Sequence, residues 1–462
     1  MSTICFSGKY TSFTGRSYAL RTEATSAQEF VLEWPFPMGG TAKRFARSCR
    51  KFVGKCDMLF QDQSVICNIR NLGLSLLPLP GLPPVDLYTG DWRSCARSLL
   101  KPFSLHLSAI LLQGHHIENL TLTCLHLDNT FMGRIFTLPH LRTLNISLCD
   151  MTIDDPPPAS VKSTSVLNLS IATSSLDDTR DLDANEFFLG IPSLRYLTHD
   201  GSLTSTHILV DTDGAYVASD AAAYALSFLE RLEIVNVFGD ELSLLPRWFA
   251  ESCLWTEDDR LRLTHFRLTS RAGMPAMAYI PIIDVLFGSP LRCLRLEGLS
   301  DIDHDIFTVL AHTFPELEDL TLMYMPSGRR GSYEPATWPH LAEHYAPQFA
   351  HFAKLKSLTW NYRIERLYTH SNVILAFEEG WDPDGDDFFD MKYFEPVPWF
   401  SDWISIFRLF AAYCPSLETL DFTHRAILNR GTGRVVDVEA YSLSGHSFDD
   451  PTRPWQSPLP MF

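Results

Sequence analysis

Apolar and polar residues alternate along this chain in short bursts that share one pattern: a proline, one spacer, then Leu-x-x-Leu-x-Leu or a close variant. Four copies hold the proline at the same offset: Pro139 with Leu141, Leu144 and Ile146; Pro192 with Leu194 and Leu197; Pro315 with Leu317, Leu320 and Leu322; and Pro415 with Leu417, Leu420 and Phe422. Copies that lack or shift the proline run through Ile117, Leu120, Leu122; Val166, Leu169, Ile171; Leu229, Leu232, Ile234; Leu263, Phe266, Leu268; Leu291, Leu294, Leu296; and Leu355, Leu358, Trp360. A degenerate first copy stands at Ile69, Leu72 and Leu74.

Within Leu-x-Leu, a period of two sends both apolar side chains to one face of a short strand and the intervening residue to the other. Several copies follow a segment with helical spacing, such as Ile306, Val309 and Leu310 before Leu317, or Ile404, Phe407 and Phe410 before Leu417. Each cassette therefore reads helix, tight turn, strand, and a helical connection makes successive strands parallel. First-position spacings of 24 (Ile117 to Leu141), 25 (to Val166), 28 (to Leu194), 28 (Leu263 to Leu291) and 26 residues (to Leu317) match the repeat length of about 20–29 residues of leucine-rich repeats. Spacings of 35 (Leu194 to Leu229), 34 (to Leu263), 38 (Leu317 to Leu355) and 62 residues (to Leu417) mark insertions, or in the last case a further repeat.

The expected fold is therefore α/β: a leucine-rich-repeat horseshoe solenoid with parallel strands inside, helices outside, irregular repeats and a short helical N-terminal cap. The alternative is a large irregular α/β domain. The expected organisation is a poorly defined segment at 1–40, a helix within 41–65, repeats over 66–430 with an insertion at about 361–402, and a tail at 431–462.

The helix at 41–65 carries a resemblance. Thr41–Phe60, reading TAKRFARSCRKFVGKCDMLF, resembles the last helix and exit of the F-box in fungal F-box proteins with leucine-rich repeats, with Phe45, Ala46, Cys49, Phe52, Met58, Leu59 and Phe60 at the matching positions. The irregular repeats downstream are similar to that family as well. The Leu-Pro-x-Glu-(Ile/Leu)-Leu run of the first half of an F-box has no counterpart in Met1–Gly40. The resemblance implies a substrate receptor of a cullin ubiquitin ligase, with Phe45, Cys49 and Phe52 facing a Skp-type adaptor; the missing half makes it speak more for substrate recognition than for ligase assembly. The alternative is a polar-faced helix that caps the array.

Charge narrows the partners. Lys and Arg total 38 against 55 Asp and Glu, a formal charge of −17, which repels phosphate backbones and anionic membrane surfaces, so a protein partner is expected, with no nucleic acid and no membrane. The opening residues lack a basic segment followed by an apolar run, and the expected location is intracellular, cytoplasmic or nuclear. Ten scattered cysteines without a C-x-x-C pair read as reduced thiols, with Cys124, Cys149 and Cys293 inside strand-like runs. The sequons at Asn119, Asn145 and Asn168 also fall in predicted strands.

The residues between inward leucines line the opposite, concave face: Thr121, Asn145, Ser170, Thr198, Glu233, Arg267, Arg295, Thr321, Thr359 and Asp421. Neighbouring columns add Tyr196, Arg231, His265, Glu297 and Asp319. Because Arg and Tyr are favoured anchors and a guanidinium suits carboxylates, the candidate partner site is Tyr196, Arg231, Glu233, His265, Arg267, Arg295, Glu297 and Asp319. The alternative is that Glu233 and Glu297 pair with the arginines across strands and merely solvate the face. A second region, Glu378 to Phe400, interleaves five aspartates with seven aromatic residues and reads as a docking loop or a solvated one.

Enzymatic motifs fare poorly. Asp382-Pro-Asp384-Gly-Asp386 lacks the glycine position and the terminal glutamate of a calcium loop. His340-Leu-Ala-Glu-His344 fits H-x-x-E-H, which on a helix sets two imidazoles one turn apart, but no third ligand offers itself. Pro80-Gly-Leu-Pro83 reads as an irregular connector. With no phosphate loop, dinucleotide fingerprint or nucleophile elbow, the expectation is a non-enzymatic protein with no cofactor and no catalytic or metal residues.

Overall fold

Leucines at a period of two force each cassette into a strand, and each strand leaves its backbone edge for the next to pair with. The computed structural model describes residues 3–6, 29–33, 68–75, 111–123, 125–152, 162–173, 182–212, 215–237, 239–325, 336–340, 342–362, 403–421, 426–429 and 435–437. The expected helix within 41–65 with Phe45, Cys49 and Phe52, the acidic aromatic stretch Glu378 to Phe400, and the side chain of Phe422 lie outside them. The chain divides into two units, Met1–Arg262 and Leu263–Phe462.

In the first unit, strands follow in chain order: β1 (Thr3–Phe6), β2 (Glu29–Glu33), β3 (Asn71–Ser75), β4 (Asn119–Thr123), β5 (His126–Asp128), β6 (Thr143–Ser147), β7 (Asp150–Thr152), β8 (Asn168–Ala172), β9 (Tyr196–Asp200), β10 (Leu209–Thr212), β11 (Ala215–Ala218) and β12 (Arg231–Val235). The main sheet runs β1-β2-β3-β4-β6-β8-β9-β12 with every neighbouring pair parallel. It begins upstream of residue 66, because β1 and β2 continue the ladder in front of the degenerate copy at β3. β5 and β7 make a small parallel pair after β4 and β6, and β10 and β11 a hairpin.

Register shows why the pattern works: Leu72, Leu120, Leu144, Leu169, Leu197 and Leu232 lie side by side, and all are buried. Full burial of each stabilises by roughly 1.5–3 kcal/mol relative to exposure. The step between repeats is also uniform in the backbone. Arg70 O accepts from both Glu118 N and Asn119 N, Glu118 O from Arg142 N and Thr143 N, and Arg142 O from Leu167 N and Asn168 N. The helices Asn129–Phe136, Ala184–Gly190 and Asp220–Phe228 are started by side chains of Asp128, Asp183 and Ser219 that accept from Phe131 N, Asn185 N and Ala222 N, each such cap being worth about 1 kcal/mol.

The second unit holds β13 (His265–Met274), β14 (Cys293–Leu299), β15 (Asp319–Tyr324), β16 (Ser357–Trp360), β17 (Thr419–Asp421), β18 (Ala426–Asn429) and β19 (Val435–Asp437). The first five pair in parallel; β18 and β19 close the edge antiparallel. Phe266, Leu294, Leu320, Leu358 and Leu420 form the same buried lattice. Behind it the core is aromatic: Phe307 packs on Phe349 with ring centroids 4.5 Å apart, Trp338 on Trp360 at 4.9 Å and Phe349 on Phe410 at 4.9 Å. Burial in this cluster pushes the Tyr345 phenol up to about 12.

The architecture is the expected α/β repeat, one strand per cassette, and not an irregular α/β domain. The long spacings are insertions: 194–229 contains the β10–β11 hairpin and helix Asp220–Phe228, and 229–263 contains the helices Gly239–Leu242 and Leu245–Cys253. One helical face needs correction. In helix Ile306–Thr313, Ile306, Phe307, Leu310 and Ala311 are buried, whereas Val309 is 42% exposed. The helix buries the stripe through Phe307 because the adjoining Phe349 and Trp338 rings claim that side.

Candidate functional site

The polar face of each strand is built by the residues that alternate with the leucines. In the first unit it is a ladder of amides and hydroxyls. Asn119 Nδ2 donates to Asn71 Oδ1 (2.6 Å), Asn145 Nδ2 to Thr121 Oγ1 (3.3 Å) and Asn168 Nδ2 to Thr143 Oγ1 (3.3 Å). All three sequon asparagines are thus strand residues held by the neighbouring repeat. At the end of this ladder Tyr196 and Arg231 sit opposite each other in register, with the Arg231 guanidinium 5.3 Å from the centre of the Tyr196 ring, a cation–π contact. Glu233, expected on the open face, is buried.

In the second unit the equivalent row opens with charge, Arg267 and Arg295 coming before Thr321 and Thr359. Arg267 and Arg295 are register partners on β13 and β14, and both reach Glu297: Arg267 Nη2 lies 3.2 Å from Oε1, and Arg295 Nε donates to the same oxygen. Glu297 is 0% exposed. Glu297 thus pairs with the arginines, as the alternative expected, but as a buried and not a solvated charge. Gly298, the next residue, has φ +96°, where a Cβ would run into the Ser270 carbonyl; the bulge there shifts the register after Glu297 and sets the carboxylate beneath the two guanidiniums. Both arginine side chains remain partly exposed.

His265 and Asp319 lie in one register row on β13 and β15, separated by buried Cys293 on β14. His265 Nδ1 is 2.8 Å from Thr264 Oγ1. The structure thus groups the eight candidates as Tyr196, Arg231 and Glu233 in the first unit, and Arg267, Arg295 and Glu297, with His265 and Asp319 nearby in register, in the second. Just before the strands, Glu318 accepts from Lys356 Nζ (2.8 Å) and from Arg292, and these donors hold its carboxyl below the usual range. This ladder is largely solvated, so water and salt screen it and it adds little to stability.

Buried polar residues that escaped the sequence reading include His199, Glu241 and Asn361. His199 takes the third inward position of the Pro192 cassette, where other copies carry Leu or Ile; its Nε2 is 3.0 Å from Thr206 Oγ1, and desolvation pushes it down to about 3. The break in the Leu-x-x-Leu-x-Leu pattern was the available signal. Glu241 is buried and accepts from Ser202 Oγ, Thr204 N and Thr204 Oγ1. Asn361 Oδ1 accepts from Tyr324 N and Trp338 Nε1, and its Nδ2 donates to Tyr324 O. Those two had no signal in the pattern, since both lie outside the cassettes.

The H-x-x-E-H segment does not form one helical face. The helix starts at Ala342, after His340, and the rings of His340 and His344 are 6.3 Å apart. Among the described residues no group of three His, Cys, Asp or Glu side chains is arranged to hold a metal ion. Cys149, Cys293 and Cys414 are buried and Cys253 is half-buried. Among the described residues no helix is long and apolar enough to cross a membrane.

No family profile and no curated protein matches the chain. Among solved structures, a Bacteroides fragilis protein determined as a structural-genomics target is 14% identical, with 57% of this chain and 70% of that chain covered and a TM-score of 0.34. A leucine-rich-repeat protein of Leptospira interrogans is 11% identical over 76% of this chain and 86% of that chain, with a TM-score of 0.22.

Proposed function

We propose that this chain acts by binding and not by catalysis, as a repeat scaffold that takes a protein partner on the polar face of its strands. The observation that carries the reading is the Arg267–Arg295 pair. Two neighbouring repeats place partly exposed guanidiniums over the buried Glu297 carboxylate, beside Thr321 and Thr359 of the next two strands. Such a pair is a geometric match for acidic side chains of a partner, and arginines at the centre of a face are the residues on which binding energy concentrates. In the first unit, the Tyr196–Arg231 contact offers a planar anchor of the same kind. The test is affinity capture from cell extract with the wild-type chain and with an Arg267→Ala/Arg295→Ala variant of unchanged circular dichroism. A protein retained by the first and lost by the second supports the reading; an identical set retained by both removes it.

The finer reading makes the scaffold an intracellular substrate receptor of a cullin ubiquitin ligase. It rests on the likeness of Thr41–Phe60 to the end of an F-box, through Phe45, Cys49 and Phe52. Co-expression with a Skp-type adaptor tests it: a stable complex that Phe45→Ala/Phe52→Ala dissolves supports a receptor, and failure to co-purify leaves the scaffold without a ligase link.

A further inference from the structure

On the helical side of the first unit three large apolar side chains stand together in solvent. Tyr224, on helix Asp220–Phe228, is 44% exposed; Leu254 and Trp255, at the end of helix Leu245–Cys253, are 79% and 49% exposed. Tyr224 meets Trp255 edge to face with ring centroids 5.5 Å apart and Phe228 at 5.0 Å, and the Arg262 guanidinium lies 5.8 Å from the centre of the Phe228 ring. The turn that presents them is held by its own hydrogen bonds. Trp255 N donates to Ser252 O (3.1 Å), Thr256 N and Oγ1 to Cys253 O (3.0 and 2.7 Å), and Arg260 N to Thr256 Oγ1 (2.9 Å). A turn fixed in this way keeps Leu254 and Trp255 outward. Contiguous exposed aromatic and aliphatic surface marks interaction sites, and Trp and Tyr are enriched where binding energy concentrates.

Charge selects the occupant. Glu257, Asp258 and Asp259 follow Trp255 after Thr256 and are exposed; Arg260 and Arg262 come next in sequence, Arg262 lying over the Phe228 ring, and Arg247 and Glu251 pair with each other (2.8 Å). The rim is acidic on a chain of formal charge −17. A second copy or an acidic partner meets like charge there, whereas a cationic one is attracted. We propose that this patch is a docking surface for a basic amphipathic segment of a protein partner, its apolar residues on Leu254, Trp255 and Tyr224 and its Lys or Arg residues against Glu257, Asp258 and Asp259. The surface stands apart from the strand face, and the inference does not depend on the function proposed for that face.

The test is fluorescence anisotropy of a dye-labelled amphipathic Leu/Lys helix titrated with the full chain, beside a scrambled peptide of the same composition. The amphipathic peptide is expected to bind at least ten-fold more tightly than the scrambled one. Leu254→Ser/Trp255→Ser lowers that affinity ten-fold or more, and Asp258→Lys/Asp259→Lys weakens it and flattens its salt dependence. Thermal melting checks the fold of each variant. If the double variant melts early, Leu254→Ser alone replaces it, since that side chain is the most exposed of the three. Equal binding of both peptides, or unchanged affinity in the folded variants, overturns the proposal. So does self-association of the wild type in light scattering that Leu254→Ser abolishes, which assigns the patch to a second copy.

Discussion

In the first unit the polar row Gly73, Thr121, Asn145, Ser170 and Thr198 is uncharged until it ends on the buried Glu233, whereas the corresponding row of the second unit opens with the partly exposed Arg267 and Arg295. Each row lies over a buried leucine lattice within its own unit. Neutral amides and hydroxyls satisfy one another across neighbouring strands with little desolvation, so that face stabilises its own stacking and offers few strong anchors. Guanidiniums over a buried carboxylate carry a large desolvation penalty that folding alone does not require. The difference teaches that sheet geometry is indifferent to what stands between the leucines, and that the face with the costlier residues is the one to examine for binding.

The largest effect should come from the leucine lattice of either unit. Leu320→Asp places an unpaired charge in a fully buried site and is expected to destabilise by about 4 kcal/mol or more, as is Leu144→Asp in the first unit. Urea denaturation of both reads the result, and a wild-type midpoint for either breaks the common register. Next, Glu297→Ala leaves Arg267 and Arg295 without their shared acceptor. The expected loss is about 2–3 kcal/mol, below the roughly 3–5 of a fully buried pair because both guanidiniums reach solvent. A change within about 0.5 kcal/mol of wild type would mean that the carboxylate is not coupled to them.

His199 sharpens the comparison through pH. Its folded pKa, pushed down to about 3 by burial, lies below the ordinary 6.5, so between those values the unfolded chain binds the extra proton. Stability from this group is therefore present above pH 6.5 and is lost as pH falls toward 3, at about 1.4 kcal/mol per pH unit. The register-equivalent positions of the second unit, Leu268, Leu296 and Leu322, do not titrate. Hydrogen exchange at pH 5 should find β9 loosened relative to β15, and His199→Leu should abolish the difference while Thr206 keeps its bond to Leu203 O. The smallest effect belongs to the neutral ladder: Asn145→Ala removes one cross-strand bond and should shift stability by about 1 kcal/mol or less. A loss matching that of Glu297→Ala would erase the contrast between the two faces.

The inward leucines from Ile69 to Leu420, the parallel strand order and the existence of insertions were legible in the amino-acid pattern, because a period of two and a fixed offset are local properties that survive stacking. Tyr196 beside Arg231, and Arg267 beside Arg295, also followed from counting along equivalent cassettes. Tertiary structure alone decided that Glu297 and Glu233 are buried, that two arginines share one carboxylate oxygen, that His199 is held neutral, and that Leu254 and Trp255 stand in solvent beside Tyr224. Periodicity tells which face a side chain leaves from; whether that face is covered, and by which atoms, depends on bulges and on residues tens of positions away, whose approach no local spacing encodes.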